Sequence, residues 1–236
     1  SLSVKIPWRR FREGIFNWRQ NTLTTVWLIR HGESAANAGQ PTDNPNDIPL
    51  TEIGHQQAQQ TSLALSHTPG LIVTSKYRRA IQTSEYTQRR FPTAPVETWD
   101  IHEFTYLSPT GLIGTTMEER RPLVQAYWEK YDPQFVHGSG AESFAEFFHR
   151  VERLYHRLKN TQSNYVAVFC HGYVIKALFW SHMLGTFNVS PETMRGFHLF
   201  HRSFDLFNCA ILEMQIGNSQ TWMSGFSTRH LAKITV

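Results

Sequence analysis

Apolar residues along the chain fall into short unbroken runs, separated by longer stretches in which they recur every three or four positions. Thr24–Arg30 (TTVWLIR), Leu71–Thr74, Val96–Trp99 and Tyr165–Cys170 (YVAVFC) are runs of the first kind and read as buried strands. Between them the spacing predicts helices. One opens on Thr51 and runs through TEIGHQQAQQTSLALS, with Ile53, Ala58, Leu63 and Leu65 at apolar positions. A second is capped by Ser75 and continues to about Arg90. Two more are expected over residues 119–131 and 141–160. The later one carries Phe144, Phe147, Phe148, Val151, Leu154 and Tyr155 at helical spacing. Another runs from about Tyr173 to Leu184, and Ser190-Pro191-Glu192 opens a short one in cap-then-proline order. The chain closes on two strand-like runs, residues 204–216 and 221–228, joined by a Gly217-Asn218 turn. Strands alternating with helices predict an α/β fold, a three-layer α/β/α sandwich around a mainly parallel sheet, with the closing hairpin supplying an antiparallel edge strand.

Composition narrows the class. With 40% hydrophobic and 18% charged residues the chain is an ordinary globular protein, long enough for a substantial core. The formal net charge of +4 is the excess of Lys5, Arg9, Arg10, Arg12 and Arg19 over Glu13; the remainder is balanced. A nucleic-acid partner would call for basic charge spread over a folded face, so none is expected. Residues 1–22 read instead as a basic aromatic arm ahead of a domain at 23–236. Contact of IPWRRFREGIFNWRQ with a membrane surface is the lesser reading; aromatics packed on the domain, with arginines in water, is the favoured one. Cys170 and Cys209 are too few for a disulfide framework or a cysteine zinc site, which fits a reducing, cytoplasmic setting. No apolar run reaches the roughly 18 residues of a membrane span, and the N-terminal region lacks the apolar segment of a signal peptide.

The chemistry lies at strand ends. Two of the buried strands finish in the same dipeptide, His31-Gly32 and His171-Gly172. In a parallel α/β sheet, ligands bind beyond the carboxyl ends of the strands. Glycine lets the backbone turn there and approach a ligand. An imidazole so placed can serve as nucleophile, acid/base or hydrogen-bond donor. Arg30 follows directly on apolar VWLI and calls for an anion, either a carboxylate or a phosphate. Arg78 and Arg79, just after the second strand, are further candidates, although a solvated helix face would account for either alone. His198-x-x-His201 is the only close histidine pair and reads as a helix end or surface feature rather than a metal site. Residues 101–118 form the longest irregular stretch, and a loop of that length in a compact domain is more often functional than idle.

RHGESAAN at residues 30–37 resembles the signature of the histidine phosphatase superfamily, which includes the cofactor-dependent phosphoglycerate mutases. Four further segments follow in the family's order: DIPLTEIGHQQA, SKYRRAIQT, GAESFAEFFHRV and VFCHGYVIKAL. The resemblance assigns the motif arginine to Arg79. It implies that His31 attacks a phosphomonoester to give a phosphohistidine, with Arg30, Arg79 and His171 around the phosphoryl oxygens and Asn37 and the Gly172 N–H completing the cradle. Attack requires an unprotonated His31 nitrogen, so the other ring nitrogen should donate to a fixed acceptor such as a backbone carbonyl. No metal or other cofactor is required, because the arginines supply the positive charge. The family also places a carboxylic acid after the third strand. Glu103 fits best, with Glu97 and Asp100 as rivals, and burial should raise its pKa against the pull of the arginines. The mouth beyond it, with Phe104, Tyr106, Leu107, Pro109, Leu112 and Ile113 and narrowed by Tyr173, suits a small-molecule phosphomonoester with a hydrophobic body. The resemblance therefore implies a phosphatase; a phosphoglycerate mutase-type transferase and a non-catalytic phosphate-recognition module are the alternatives.

Overall fold

The structure, a computed structural model, describes residues 23–231; the expectations for the arm at residues 1–22 lie outside the described residues. A six-stranded sheet is formed by β1 (Thr24–Arg30), β2 (Leu71–Ser75), β3 (Val96–Trp99), β4 (Tyr165–Cys170), β5 (Ile211–Ile216) and β6 (Thr221–Ser227) in the order β3-β2-β4-β1-β5-β6. The first four run parallel, β5 is antiparallel to β1, and β6 is antiparallel to β5. The antiparallel strand thus lies one place in from the edge, because the closing hairpin delivers two strands and the second, β6, takes the border. The described residues also form six α-helices: α1 (Glu52–Ala64), α2 (Arg78–Arg90), α3 (Arg121–Glu129), α4 (Phe144–Lys159), α5 (Gly172–Leu184) and α6 (Pro191–Arg202).

Alternation along the strands explains the burial. Val166, Val168 and Cys170 of β4 face one apolar cluster, with Phe144, Phe147, Phe148, Leu178 and Phe197 of the later helices. Tyr165, Ala167 and Phe169 face the other, with Leu65, Ile72 and Phe91. A sheet apolar on both faces needs cover on both. All six residues of β4 are buried, as a continuous apolar run predicts for a central parallel strand. Two of the caps read from sequence hold. Thr51 Oγ1 accepts from the Gly54 N–H at 3.1 Å, and Ser190 Oγ from the Thr193 N–H at 3.1 Å. Ser143 and Glu146 form a reciprocal capping box on α4.

Two expectations need correction. Helix α2 begins at Arg78, not at Ser75. Ser75 closes β2, where its hydroxyl accepts from the Tyr77 N–H at 3.3 Å and bonds His171 Nε2 at 2.8 Å. Residues 204–210 are not strand either: the ladder to β1 starts at Ile211, and Cys209 just before it takes a left-handed φ of 55°.

Candidate active site

Four neighbouring parallel strands bring their carboxyl ends to one edge of the sheet. Arg30 and Cys170 are register partners at the ends of β1 and β4, so His31 and His171, one residue beyond each, are neighbours. Their ring centroids are 5.2 Å apart. The crossover from β2 adds Arg79 in the first turn of α2, and the segment after β3 adds Glu103. These groups stand at or just behind the wall of a cleft of about 820 Å³, lined at this end by Arg30, His31, Asn37, Arg79, Glu103 and Gly172. His171 is completely buried behind His31, as the N-cap residue of α5, and is not part of the wall.

The hydrogen bonds define the state of His31. Nδ1 lies 2.7 Å from the Gly32 carbonyl, an acceptor only, so the proton is on Nδ1. Nε2 is then a free lone pair, and Arg79 Nε donates to it at 3.2 Å. Thr83 braces the turn: its Oγ1 accepts from the Gly32 N–H at 3.0 Å and donates to the Arg79 carbonyl at 2.6 Å. The role of Gly32 differs from the one expected. Its N–H is already satisfied by Thr83, and a Cβ at residue 32 would sit 2.5 Å from the Gly54 carbonyl oxygen. Glycine is needed there because α1 packs directly onto the backbone of the loop.

Glu103 is held at the start of α5. Its Oε1 accepts from the Phe104 and Tyr173 N–H groups, both at 3.1 Å, which leaves Oε2 to carry a proton. Oε2 and Arg30 Nε flank Gly172, within 3.9 Å and 3.6 Å of where its Cβ would stand. Arg30 donates through Nη1 to the Leu206 carbonyl, while its buried Nε has no partner among the described residues. Burial, reinforced by Arg79 and Arg30, drives the His31 pKa far below its ordinary value; burial and then Arg79 do the same to His171. Both imidazoles are neutral. Burial also pulls Arg79 down to about 10, so it stays charged. For Glu103, burial outweighs the opposing arginines and the two N–H donors, and the carboxyl pKa is raised.

The rival carboxylates belong elsewhere. Glu97 accepts from Trp99 Nε1 and Arg157 Nη2, both at 2.7 Å, and Asp100 pairs with His102 Nδ1 at 2.7 Å. Arg78 reaches only the exposed Asp47, at 3.2 Å. Beyond the polar end the cleft is lined by Phe104, Tyr106, Leu107, Leu112, Val124 and Tyr173, whereas Ile113 is 64% exposed and turns away. His198 and His201 lie at the C-terminal end of α6, the helix end that the sequence allowed, but both are half-buried rather than free on the surface. His198 stacks on Trp128 at 4.5 Å, and His201 stacks on Tyr173 at 4.0 Å and borders the cleft. Sequence reasoning also missed Asn208, which lines the cleft beside His31. A signal for it existed: a hairpin strand antiparallel to β1 must begin where β1 ends, which places the residues just before it at the sheet edge that carries His31.

Comparison with known proteins agrees with this architecture. Residues 26–224 match the family model of the histidine phosphatase superfamily (branch 1). The chain belongs to that superfamily. It is 34% identical over 99 residues to the uncharacterized phosphatase PhoE of Bacillus subtilis (strain 168), a match covering 42% of this chain and 50% of the relative. It is 30% identical over 139 residues to the adenosylcobalamin/alpha-ribazole phosphatase of Salmonella typhi, covering 56% of this chain and 66% of that one. The matched segments thus span between half and two thirds of these relatives. Among solved structures, the alpha-ribazole phosphatase of Shigella flexneri superposes with a TM-score of 0.67 at 22% identity, covering 87% of this chain and 97% of that chain. At that identity the superposition speaks for the fold.

Proposed function

We propose that the chain is a metal-independent phosphomonoester hydrolase that works through a phosphohistidine on His31. One observation carries the reading: His31 keeps its proton on Nδ1 against the Gly32 carbonyl, so Nε2 offers its lone pair inside the cleft, with Arg79 on that nitrogen. A phosphate dianion entering the cleft takes over the Arg79 donor. Arg30, whose Nε lacks a partner, and Asn37 supply further donors as charge shifts onto the phosphoryl oxygens. His171 Nε2 is already engaged with Ser75, so its part is to fix the floor under His31 unless that bond is exchanged for a phosphoryl oxygen.

In the first step Nε2 attacks phosphorus, the bond to the leaving oxygen breaks, and the Glu103 carboxyl delivers its proton to that oxygen, releasing the alcohol. In the second, the Glu103 carboxylate takes a proton from water as its oxygen attacks phosphorus. The P–N bond breaks, inorganic phosphate forms, and Glu103 is again protonated. A raised carboxyl pKa suits the residue to deliver that first proton near neutral pH. The aromatic wall supports substrates with a hydrophobic body, and phosphatase names among the relatives agree with hydrolysis rather than mutase chemistry. Turnover of para-nitrophenyl phosphate in excess EDTA tests the proposal. Activity is expected in the native chain and a loss of at least about a thousandfold in His31→Ala; comparable activity in the two would refute it.

A further inference from the structure

Asn37 is exposed at the cleft wall, where its amide could face a phosphate with either nitrogen or oxygen. Backbone groups of fixed polarity answer the question. The Ser34 N–H lies 3.2 Å from one Asn37 amide atom, which must therefore be the oxygen. The Ser34 hydroxyl donates to the same oxygen at 3.0 Å. Asn208 donates to it as well, at 3.0 Å, from an Nδ2 that also lies 3.1 Å from the His31 carbonyl. That carbonyl accepts only, so the Asn208 atom between the two must be its nitrogen. Two amide orientations are thus set in series, from the His31 carbonyl through Asn208 to Asn37. With Asn37 Oδ1 holding three donors, its Nδ2 is the free end, and no acceptor for it exists among the described residues.

Asn208 is itself clamped. The neighbouring Cys209 N–H donates to the same His31 carbonyl at 3.2 Å, and the Arg30 N–H donates to Ala210 at 3.1 Å. The left-handed backbone at Cys209 sets the turn between the exposed Phe207 and β5, and Asn208 borders the cleft inside that turn.

We propose that Asn208 is a positioning residue. By donating at once to the His31 carbonyl and to Asn37 Oδ1, it fixes the nucleophile's backbone and turns the Asn37 amide nitrogen toward the phosphoryl oxygens. The proposal rests on the cleft being a phosphoryl site, and the test separates the two. Binding of inorganic phosphate is measured by calorimetry, alongside para-nitrophenyl phosphate turnover, in the native chain, Asn37→Ala, Asn208→Ala, Asn208→Asp and the Asn37→Ala/Asn208→Ala double variant. Asn208→Asp keeps size and shape but sets a carboxylate oxygen against both the His31 carbonyl and Asn37 Oδ1, so both donations are lost, and Asn37 cannot flip to meet it without losing the Ser34 N–H. Each single variant is expected to weaken phosphate binding and lower kcat/KM by roughly 10–100-fold, the loss of one donor to a charged group. The double variant should be little worse than Asn37→Ala. Unaltered phosphate affinity in Asn208→Asp, or losses that multiply in the double variant, would overturn the assignment. A native chain that binds phosphate in the expected pattern without turning over ester would overturn the hydrolase reading and leave the Asn208 assignment standing. A native chain that binds no phosphate would overturn both.

Discussion

Nearly all of the polar end of the cleft was readable residue by residue. His31, Arg30 and Arg79 are where the motifs place them, and of the three candidate carboxyls only Glu103 lines the cleft, while Glu97 and Asp100 meet Trp99, Arg157 and His102. Asn208 and His201 escaped because no local pattern marks them; each reaches the cleft only through the way β5 and α6 return to the edge of β1. Glu103 gives the clearest residue-scale expectation. Glu103→Gln keeps the acceptor for the Phe104 and Tyr173 N–H groups but carries no acid proton. Hydrolysis of an alkyl phosphate should fall by roughly 10²–10⁴-fold. In kcat/KM, which reports only the steps up to release of the alcohol, para-nitrophenyl phosphate, whose leaving phenolate needs little protonation, should lose far less than the alkyl ester. Equal kcat/KM losses on the two substrates would contradict the acid role of Glu103. The native alkyl-phosphate rate should also decline as pH rises through the elevated Glu103 pKa, since the acid form is lost there, and that limb should be absent in Glu103→Gln.

At the scale of elements, the periodicities named all six helices and the strands of the sheet, and the boundaries shifted where side chains were claimed by the site. Ser75 is the example: a good cap by residue type, it is spent instead on His171. The packing of α1 onto the catalytic loop was not readable, because it depends on two glycines 22 positions apart in sequence meeting backbone to backbone. Gly54 lies in the first turn of α1, where alanine is ordinarily favoured by about 1 kcal/mol. Here a Cβ would stand 2.0 Å from the Glu33 carbonyl oxygen. Gly54→Ala is therefore expected to destabilise, by more than about 1 kcal/mol, and to depress activity by displacing the Gly32–Glu33 backbone. Thermal unfolding and turnover measured on the same preparation check this; a raised Tm would contradict the packing.

The whole molecule buries neutral histidines together with a carboxyl whose pKa is raised, and this sets its response to acid. His31, His171 and His201 all have lowered pKa values, His201 to about 3, chiefly through burial. In the unfolded chain each titrates near ~6.5. Between that value and the folded one the unfolded state binds the proton and the folded state does not, so stability falls as pH drops. Each such histidine contributes up to about 1.4 kcal/mol per pH unit. Glu103, with its raised pKa, acts in the opposite direction, but His102, His198 and His230 are lowered as well, so it is one group against six. Tm should therefore decline from pH 7 to pH 5, and His201→Gln should flatten the decline; a Tm that rises over this range would contradict the assigned protonation states.

The account's central claim is the covalent one, and the most direct measurement is rapid acid or base quench of the native chain with a ³²P-labelled phosphomonoester. A label that survives alkali, is lost in acid, maps to the peptide containing His31 and is missing in His31→Ala is the predicted result. Turnover of the ester without any such label, or a label that persists in His31→Ala, would contradict it.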